Sequence, residues 1–246
     1  MGKYFVTSDI HGFYSKFKQT LKDKKFDINN PEHKIIICGD LFDRGNEAKE
    51  LLDFLLKIPE DRLLIIRGNH EDLMEDCLFQ MEQDVNISEH HWSNGTVDTI
   101  AQFSGVSKYD IIAQFYDYRH IKNSMKKYFK LISRAKDYIE IGDYIFVHGW
   151  IPLVRDYNNL KYASSEDWDR ARWYNGMEDW KAGRFYENKT IVCGHWHTSY
   201  GHSKYHNNGS EFEEDACFEP FIDKGIIALD ACTAYSKKIN IYVIEH

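Results

Sequence analysis

Long apolar runs are missing from this chain. No stretch approaches the roughly 18 consecutive apolar residues of a membrane-spanning helix, so no membrane association is expected. A basic surplus is missing as well. Lys and Arg number 31 against 39 Asp and Glu, a net charge of −8, and a protein that grips a nucleic-acid backbone needs a basic face. Stable nucleic-acid binding is therefore not expected, whereas a small phosphorylated substrate stays open. The 5 cysteines (Cys38, Cys77, Cys193, Cys217, Cys232) are odd in number and widely scattered, and no two form a CxxC pair. That excludes a disulfide framework and a Cys-rich structural zinc site, and leaves reduced, mostly buried thiols. Neither a solenoid repeat nor a low-complexity tract is present. The chain opens MGKYFVTSD, strand-like from Lys3, with no stretch for a signal peptide; Val6 stands where a myristoylation site requires Ser or Thr. A cytoplasmic protein is the expectation.

What is present is enough apolar sequence for a large core: 43% of 246 residues are hydrophobic and 15% aromatic, which suits one domain over 1–246. One pattern recurs: a short apolar, β-branched or aromatic run followed by a polar cluster containing Gly. It appears as KYFVTSDIHG (3–12), KIIICGDLFDRG (34–45), RLLIIRGNHED (62–72), DYIFVHGW (143–150) and KTIVCGHWHT (189–198). Such runs predict strands buried on both faces. Between the first three lie helical patterns, Phe13, Phe17 and Leu21, then Leu51, Leu52, Leu55 and Leu56. This is βαβαβ, hence an α/β fold containing a parallel sheet. The spacing of Ile111, Ile112, Phe115, Ile121, Met125, Phe129 and Ile132 predicts helix, and residues 85–140 read as a helical, cap-like insertion over the site. After Gly201 a long loop or hairpin is expected, and GIIALDAC and INIYVIEH read as closing strands of a second sheet.

In open α/β sheets ligands bind beyond the carboxyl ends of the strands, and every polar cluster here falls at such an end. Collected, these residues are Asp9, His11, Asp40, Asp43, Asn69, His70, His148, His195 and His197. Carboxylates mixed with imidazoles, and no thiolate, suit hard to borderline divalent ions such as Mn, Fe, Zn or Ni. The set exceeds one ion's need, and two ions about 3.5–4 Å apart would define a phosphoryl-transfer centre. Single motifs are weak signals, because Asp-x-His-Gly alone is a common turn. A fixed four-residue string such as GNHE, however, arises by chance about once in several hundred chains of this size. Five such strings in order leave little room for accident.

Asp9-Ile-His11-Gly12, Gly39-Asp40-Leu-Phe-Asp43-Arg44-Gly45, Gly68-Asn69-His70-Glu71, His148-Gly149 and Gly194-His195-Trp-His197 together resemble the five blocks of the calcineurin-like metallophosphoesterases. GDxxDRG and RGNHE are forms of the phosphoprotein phosphatase branch, and HHWSNG (90–95) with WDRAR (168–172) adds similarity to its bacterial and phage-type serine/threonine phosphatases. The resemblance implies a four-layer α/β/β/α sandwich of two mixed sheets with flanking helices. It implies two divalent metal ions, with Mn the first choice. Asp9 and His11 would hold one ion, Asp40 would bridge, Asn69, His148 and His195 would hold the other, and His197 would add a ligand to the first. A hydroxide bridging the ions would attack phosphorus in line. His70, paired with Asp43, would protonate the leaving oxygen. Arg44 would clamp the phosphate, with Arg170 as the second clamp and Arg172 as the alternative; Asn94 would also face the substrate.

Elsewhere the residues carry plainer readings. Arg67 reads as a loop brace, His90 and His91 as surface or substrate-loop residues, and Glu71 and Asp72 as first-turn acids of the next helix. The substrate implied is a phosphoserine or phosphothreonine protein. GHWHT carries a second His where many protein phosphatases have one, which keeps open a phosphodiester or a dinucleoside polyphosphate such as diadenosine tetraphosphate. A catalytically silent binding module is the reading from another class.

Overall fold

The structure, a computed structural model, describes residues 2–153, 160–186 and 188–245. Strands β1 (Lys3–Thr7), β2 (His33–Cys38) and β3 (Leu63–Ile66) lie parallel in the order β3-β2-β1, joined by helices α1 (Tyr14–Asp23) and α2 (Ala48–Leu55). The chain then runs through α3 (Asn69–Glu82) and five short helices, α4 (Glu89–Ser93), α5 (Thr96–Ser104), α6 (Lys108–Ile112), α7 (Tyr118–Ser124) and α8 (Lys126–Ile132). The second sheet comprises β4 (Ile139–Ile141) and β5 (Tyr144–Phe146), and, after α9 (Ser165–Ala171) and α10 (Gly176–Lys181), β6 (Thr190–Cys193). Helix α11 (Thr198–His206), β7 (Phe221–Asp223), β8 (Ile226–Ala228), α12 (Thr233–Ser236) and β9 (Tyr242–Glu245) complete the chain. The order in this sheet is β4-β5-β6-β8-β7, with β5, β6 and β8 parallel and the two edge strands antiparallel.

Strand side chains alternate between two apolar layers, which is why the runs are apolar throughout rather than at every second position. Ile35 and Ile37 face the helices outside the first sheet, while Ile36 and Cys38 face the second sheet. Ile191 and Cys193 likewise face α9 and α10, and Val192 faces inward. The shared middle layer includes Val6, Ile36, Phe146, Val192, Ile227 and Leu229. Helices outside, two sheets face to face: this is the α/β/β/α sandwich.

Three expectations change. β9 pairs antiparallel with β1, so the last strand closes the first sheet and only β8 joins the second. The polar stretch after Gly201 begins as helix, since Gly201 to His206 lie within α11. Residues 85–140 are helical, but Ile100, Ile111, Ile121, Met125 and Leu131 are buried in the same core as α1, α2 and β2. The segment is therefore part of the helical layer outside the first sheet and reaches the site along one edge, that of α4 and α5. Phe115 and Phe129, which the periodicity placed on the apolar face, are exposed, because the pattern is cut into three short helices.

The middle layer should dominate stability. Phe146→Ala, at a side chain only 1% exposed, is expected to cost about 3–5 kcal/mol. Phe115→Ala, at 78% exposure, should stay within about 0.5 kcal/mol. Urea midpoints of the two variants check this, and equal shifts would contradict the layer assignment.

Candidate metal centre

All the chemistry sits at one end of the two sheets. Asp9 and His11 follow β1, Asp40 and Asp43 follow β2, and Asn69 and His70 open α3 just beyond β3. From the second sheet come His148 after β5 and His195 with His197 after β6. The turns carrying them are strained: Asp9, His11, Asp40, Asp43, Arg44 and His195 all have φ between 50° and 71°, the left-handed region that costs of order 1–3 kcal/mol per residue and concentrates at functional sites. Two glycines are sterically required. A Cβ on Gly39, itself at φ +83°, would lie 2.5 Å from His148 Nδ1, and one on Gly68 would lie 2.2 Å from Asp40 Oδ1.

The proton bookkeeping at His148 shows what the cluster can hold. Its Nδ1–H donates to the Cys38 carbonyl at 2.7 Å, which turns Nε2 toward Asn69 Oδ1 at 2.8 Å and Asp40 Oδ1 at 3.3 Å. A ring nitrogen and two oxygens thus converge on one point, the arrangement of donors around a cation. His195 joins Asp40 and His148 in this group, with ligand atoms all within 4.8 Å of one another. Burial first, then His148, pushes the His195 pKa down to about 3, so the ring is neutral and ligand-competent.

A neighbouring group repeats the arrangement. His11 donates from Nδ1 to the Phe42 carbonyl at 2.9 Å and points Nε2 toward Asp40 Oδ2 at 3.7 Å and Asp9 Oδ1 at 3.9 Å. Burial, reinforced by His70 and Arg44, lowers the His11 pKa well below its ordinary value. Asp9 is raised by burial and then by Asp230 and Asp40. Buried carboxylates that repel one another are relieved by bound cations. Asp40 shares one compact donor group with His148 and His195 and another with His11 and His70, which gives it the geometry of a bridge, and with Asp9 near His11 the donor set fits two divalent ions.

His70 borders the cluster from the other side. Its Nδ1–H donates to Asp43 Oδ2 at 2.8 Å, and the Thr96 hydroxyl donates to the same oxygen at 2.8 Å. Its Nε2 lies 3.9 Å from Asp40 Oδ2 and 3.2 Å from Arg44 Nη2. Burial alone would lower the His70 pKa, but Asp40 and the hydrogen-bonded Asp43 outweigh burial and Arg44, and the net shift is upward.

The remaining candidates divide. His197 turns Nε2 to Glu211 Oε1 at 2.7 Å. Asn94 donates to the His90 carbonyl at 2.8 Å, and the following Gly95 packs against the backbone of Arg44. Arg170 is exposed, with its guanidinium 3.5 Å from Glu166. Arg172 is buried and engages Asp72, Asp137 and Asp169. Arg67 does brace its loop, on Asp72 and Glu75.

Sequence reasoning missed several supports. Asp230, at the end of β8, is buried beside Asp9, and the Thr233 hydroxyl holds the Asp9 carbonyl at 2.9 Å. Asp230 also follows an apolar run, in GIIALDAC, and was legible by that signal. Glu71 opens α3 as expected but does more: its carboxylate accepts the amides of Gly68, Asp40 and Leu41 at 2.8, 3.0 and 3.0 Å. Burial and Asp40 push its pKa up to about 7, against the pull of the three amides.

This carboxylate ties the β2 turn to the start of α3. Glu71→Gln keeps the shape but turns an NH2 group toward backbone donors, leaving at least one buried amide without an acceptor. The expected loss is about 1–3 kcal/mol, read as a urea midpoint in chelator; an unchanged midpoint would contradict the brace.

Comparison with known proteins identifies the family. A bis(5'-nucleosyl)-tetraphosphatase (symmetrical) of Buchnera aphidicola is 38% identical over 71 residues, 29% of this chain and 24% of that protein. Shewanella-like protein phosphatase 1 of Plasmodium berghei is 24% identical over 166 residues, 62% of this chain and 40% of that protein. The chain thus matches well under half the length of these relatives. Among solved structures, a cold-active protein-tyrosine phosphatase of a psychrophilic Shewanella shares the fold, with TM-score 0.53, 16% identity, and coverage of 100% of this chain and 76% of that one. Residues 2–225 match the family described as calcineurin-like phosphoesterase, and with its strand-end donors gathered around Asp40, this chain belongs to the calcineurin-like phosphoesterases.

Proposed function

We propose that this chain is a metal-dependent phosphatase that hydrolyses phosphomonoesters, with phosphoserine and phosphothreonine proteins as the substrate class. The observation that carries the reading is the His70–Asp43 pair, 2.8 Å apart, set beside Asp40 and opening onto Arg44. A general acid held by an orienting carboxylate next to a two-ion ligand set is what cleavage of an ester with a poor leaving group requires.

When bound, two divalent ions, Mn in the first instance, would supply Lewis acidity and bring the pKa of water from about 15.7 toward neutrality. Asp9, His11 and Asp40 would hold one; Asp40, Asn69, His148 and His195 would hold the other. His197 joins the first only by giving up Glu211. The chain does the rest. Asp43 fixes the tautomer of His70 and favours its charged form, so that Nε2 carries the proton for the leaving oxygen. The contact of Arg44 with Nε2 suits only the bare ring, and a phosphate oxygen seated between them would accept from both and release the conflict. Arg44 thus clamps the phosphate beside the acid. Arg170 exchanges Glu166 for phosphate as the second clamp, since so exposed a pair, with side chains 66% and 81% accessible, costs little to break.

A second reading, hydrolysis of a dinucleoside polyphosphate, draws on two indoles beside His195. Trp173 and Trp196 have ring centroids 5.8 and 6.2 Å from it and are 46% and 36% exposed, and such faces can stack a base. The name of the Buchnera relative points the same way.

Purified protein, stripped by chelator and resupplied with Mn, should hydrolyse p-nitrophenyl phosphate faster than bis-p-nitrophenyl phosphate. Diester preference would move weight to nucleotides, and silence on both would favour a binding module. His70→Ala should slow alkyl phosphates about 10²–10⁴-fold while slowing aryl phosphates far less; equal losses on both would remove His70 from the role of acid.

A further inference from the structure

The alternative clamp Arg172 has a different place in the structure. Its side chain is 6% exposed, and it spreads one fork over three elements: Nη1 donates to Asp72 Oδ2 on α3 at 2.8 Å and to Asp169 Oδ1 on α9 at 2.6 Å, while Nη2 donates to Asp137 Oδ1 just before β4 at 2.5 Å. Planar, multidentate donation of this kind is a property of guanidinium that lysine does not share.

The chain around Arg172 reaches two of the histidines. Trp173, the next residue, packs its indole edge-on against the ring of His195, with centroids 5.8 Å apart. The carbonyls of Ala171 and Arg172 press on Gly149, the residue after His148, so closely that a Cβ there would lie 2.5 and 2.7 Å from them; Trp150 N–H also donates to the Ala171 carbonyl at 3.0 Å. Asp72, the third contact, stands three residues beyond Asn69 on the first turn of α3. Asn69, His148 and His195 are thus each one step from Arg172, by a helix turn, a close backbone packing and a ring contact. No comparable link from Arg172 to Asp9 or His11 is present among the described residues.

We propose that Arg172 is a positioning residue for the Asn69–His148–His195 half of the metal centre, holding the end of α9 against α3 so that the three ligands keep one geometry. The inference rests on the reading of the centre as binuclear. It requires that losing the latch weakens one ion and spares the other.

The test is calorimetric binding of MnCl2 to chelator-stripped wild type, Arg172→Met and Arg172→Lys, with thermal unfolding of each in chelator. Met fills a similar volume, and the carboxylates left behind are solvated or paired, Asp137 and Asp169 being 40% and 60% exposed and Asp72 still bound by Arg67. Arg172→Lys keeps the charge without the fork, and serves if the Met variant does not fold. Wild type should bind two ions. The variants should bind one ion within about twofold of wild type and the other about 10–100-fold more weakly, the range for loss of a group that orients metal ligands. Two ions bound as in wild type would overturn the proposal, as would equal weakening of both ions together with a lowered melting temperature, which marks a merely structural role. Fewer than two ions on wild type would overturn the binuclear reading itself, and this inference with it.

Discussion

Asp40 is the point on which the structure turns. One oxygen accepts the backbone N–H of His70 at 3.0 Å and lies 3.3 Å from His148 Nε2; the other faces the Nε2 atoms of His11 and His70 at 3.7 and 3.9 Å. A carboxylate this buried is costly unless cations or well-placed donors surround it. Burial pushes the Asp40 pKa up, positive charge on the surrounding histidines, His148 first, pulls it down, and the net shift is downward. The rings of His11 and His148 are held with Nε2 toward it by the carbonyls that accept from their Nδ1 atoms, and Asn69 Oδ1 lies beside His148 Nε2. Such a pocket is arranged for cations, and the folded chain maintains it at the expense of strain.

At the site, that strain lies in the turns leaving the strands, with packed apolar layers behind them. The first and second sheets meet across one apolar layer, so the turns after β1, β2 and β3 face those after β5, β6 and β8 over a fixed distance. Ties across the gap complete the construction. His195 N–H donates to Asp9 across the sheets, Thr233 holds the Asp9 carbonyl, and His148 hydrogen-bonds the Cys38 carbonyl at the end of β2. The centre is therefore assembled only when both sheets are packed, which links catalytic geometry to global stability rather than to any one loop.

Much of this was legible in the sequence because strand and ligand are written together. An apolar run that ends in Gly with Asp, Asn or His states both where the backbone is buried and where it emerges, and Asp9, Asp40, Asn69, His148 and His195 all obeyed that pattern. Asp230 also follows an apolar run, but GIIALDAC lacks the glycine beside the acid that marks the other clusters. What could not be read was partnership. Nothing in WDRAR distinguishes an arginine on the solvent side of α9 from one on its buried side two residues later, and Glu71 looks like any first-turn acid until its three amide donors are placed. The helical segment 85–140 misled for a related reason: its apolar positions do face a core, but the core is that of the first sheet. β9 was misplaced because hydropathy reports burial and is silent about which neighbour a strand pairs with.

The two substrate readings share everything up to the phosphate and diverge at the rim, where Trp173 and Trp196 border His195. On either proposed reading, the phosphate would meet the same donors around Asp40. The most direct measurement is anomalous scattering at the manganese edge from crystals grown with Mn. The account predicts two peaks flanking Asp40, one among Asp9 and His11 and the other among Asn69, His148 and His195. A single peak, or one displaced to His197 and Glu211, would contradict it.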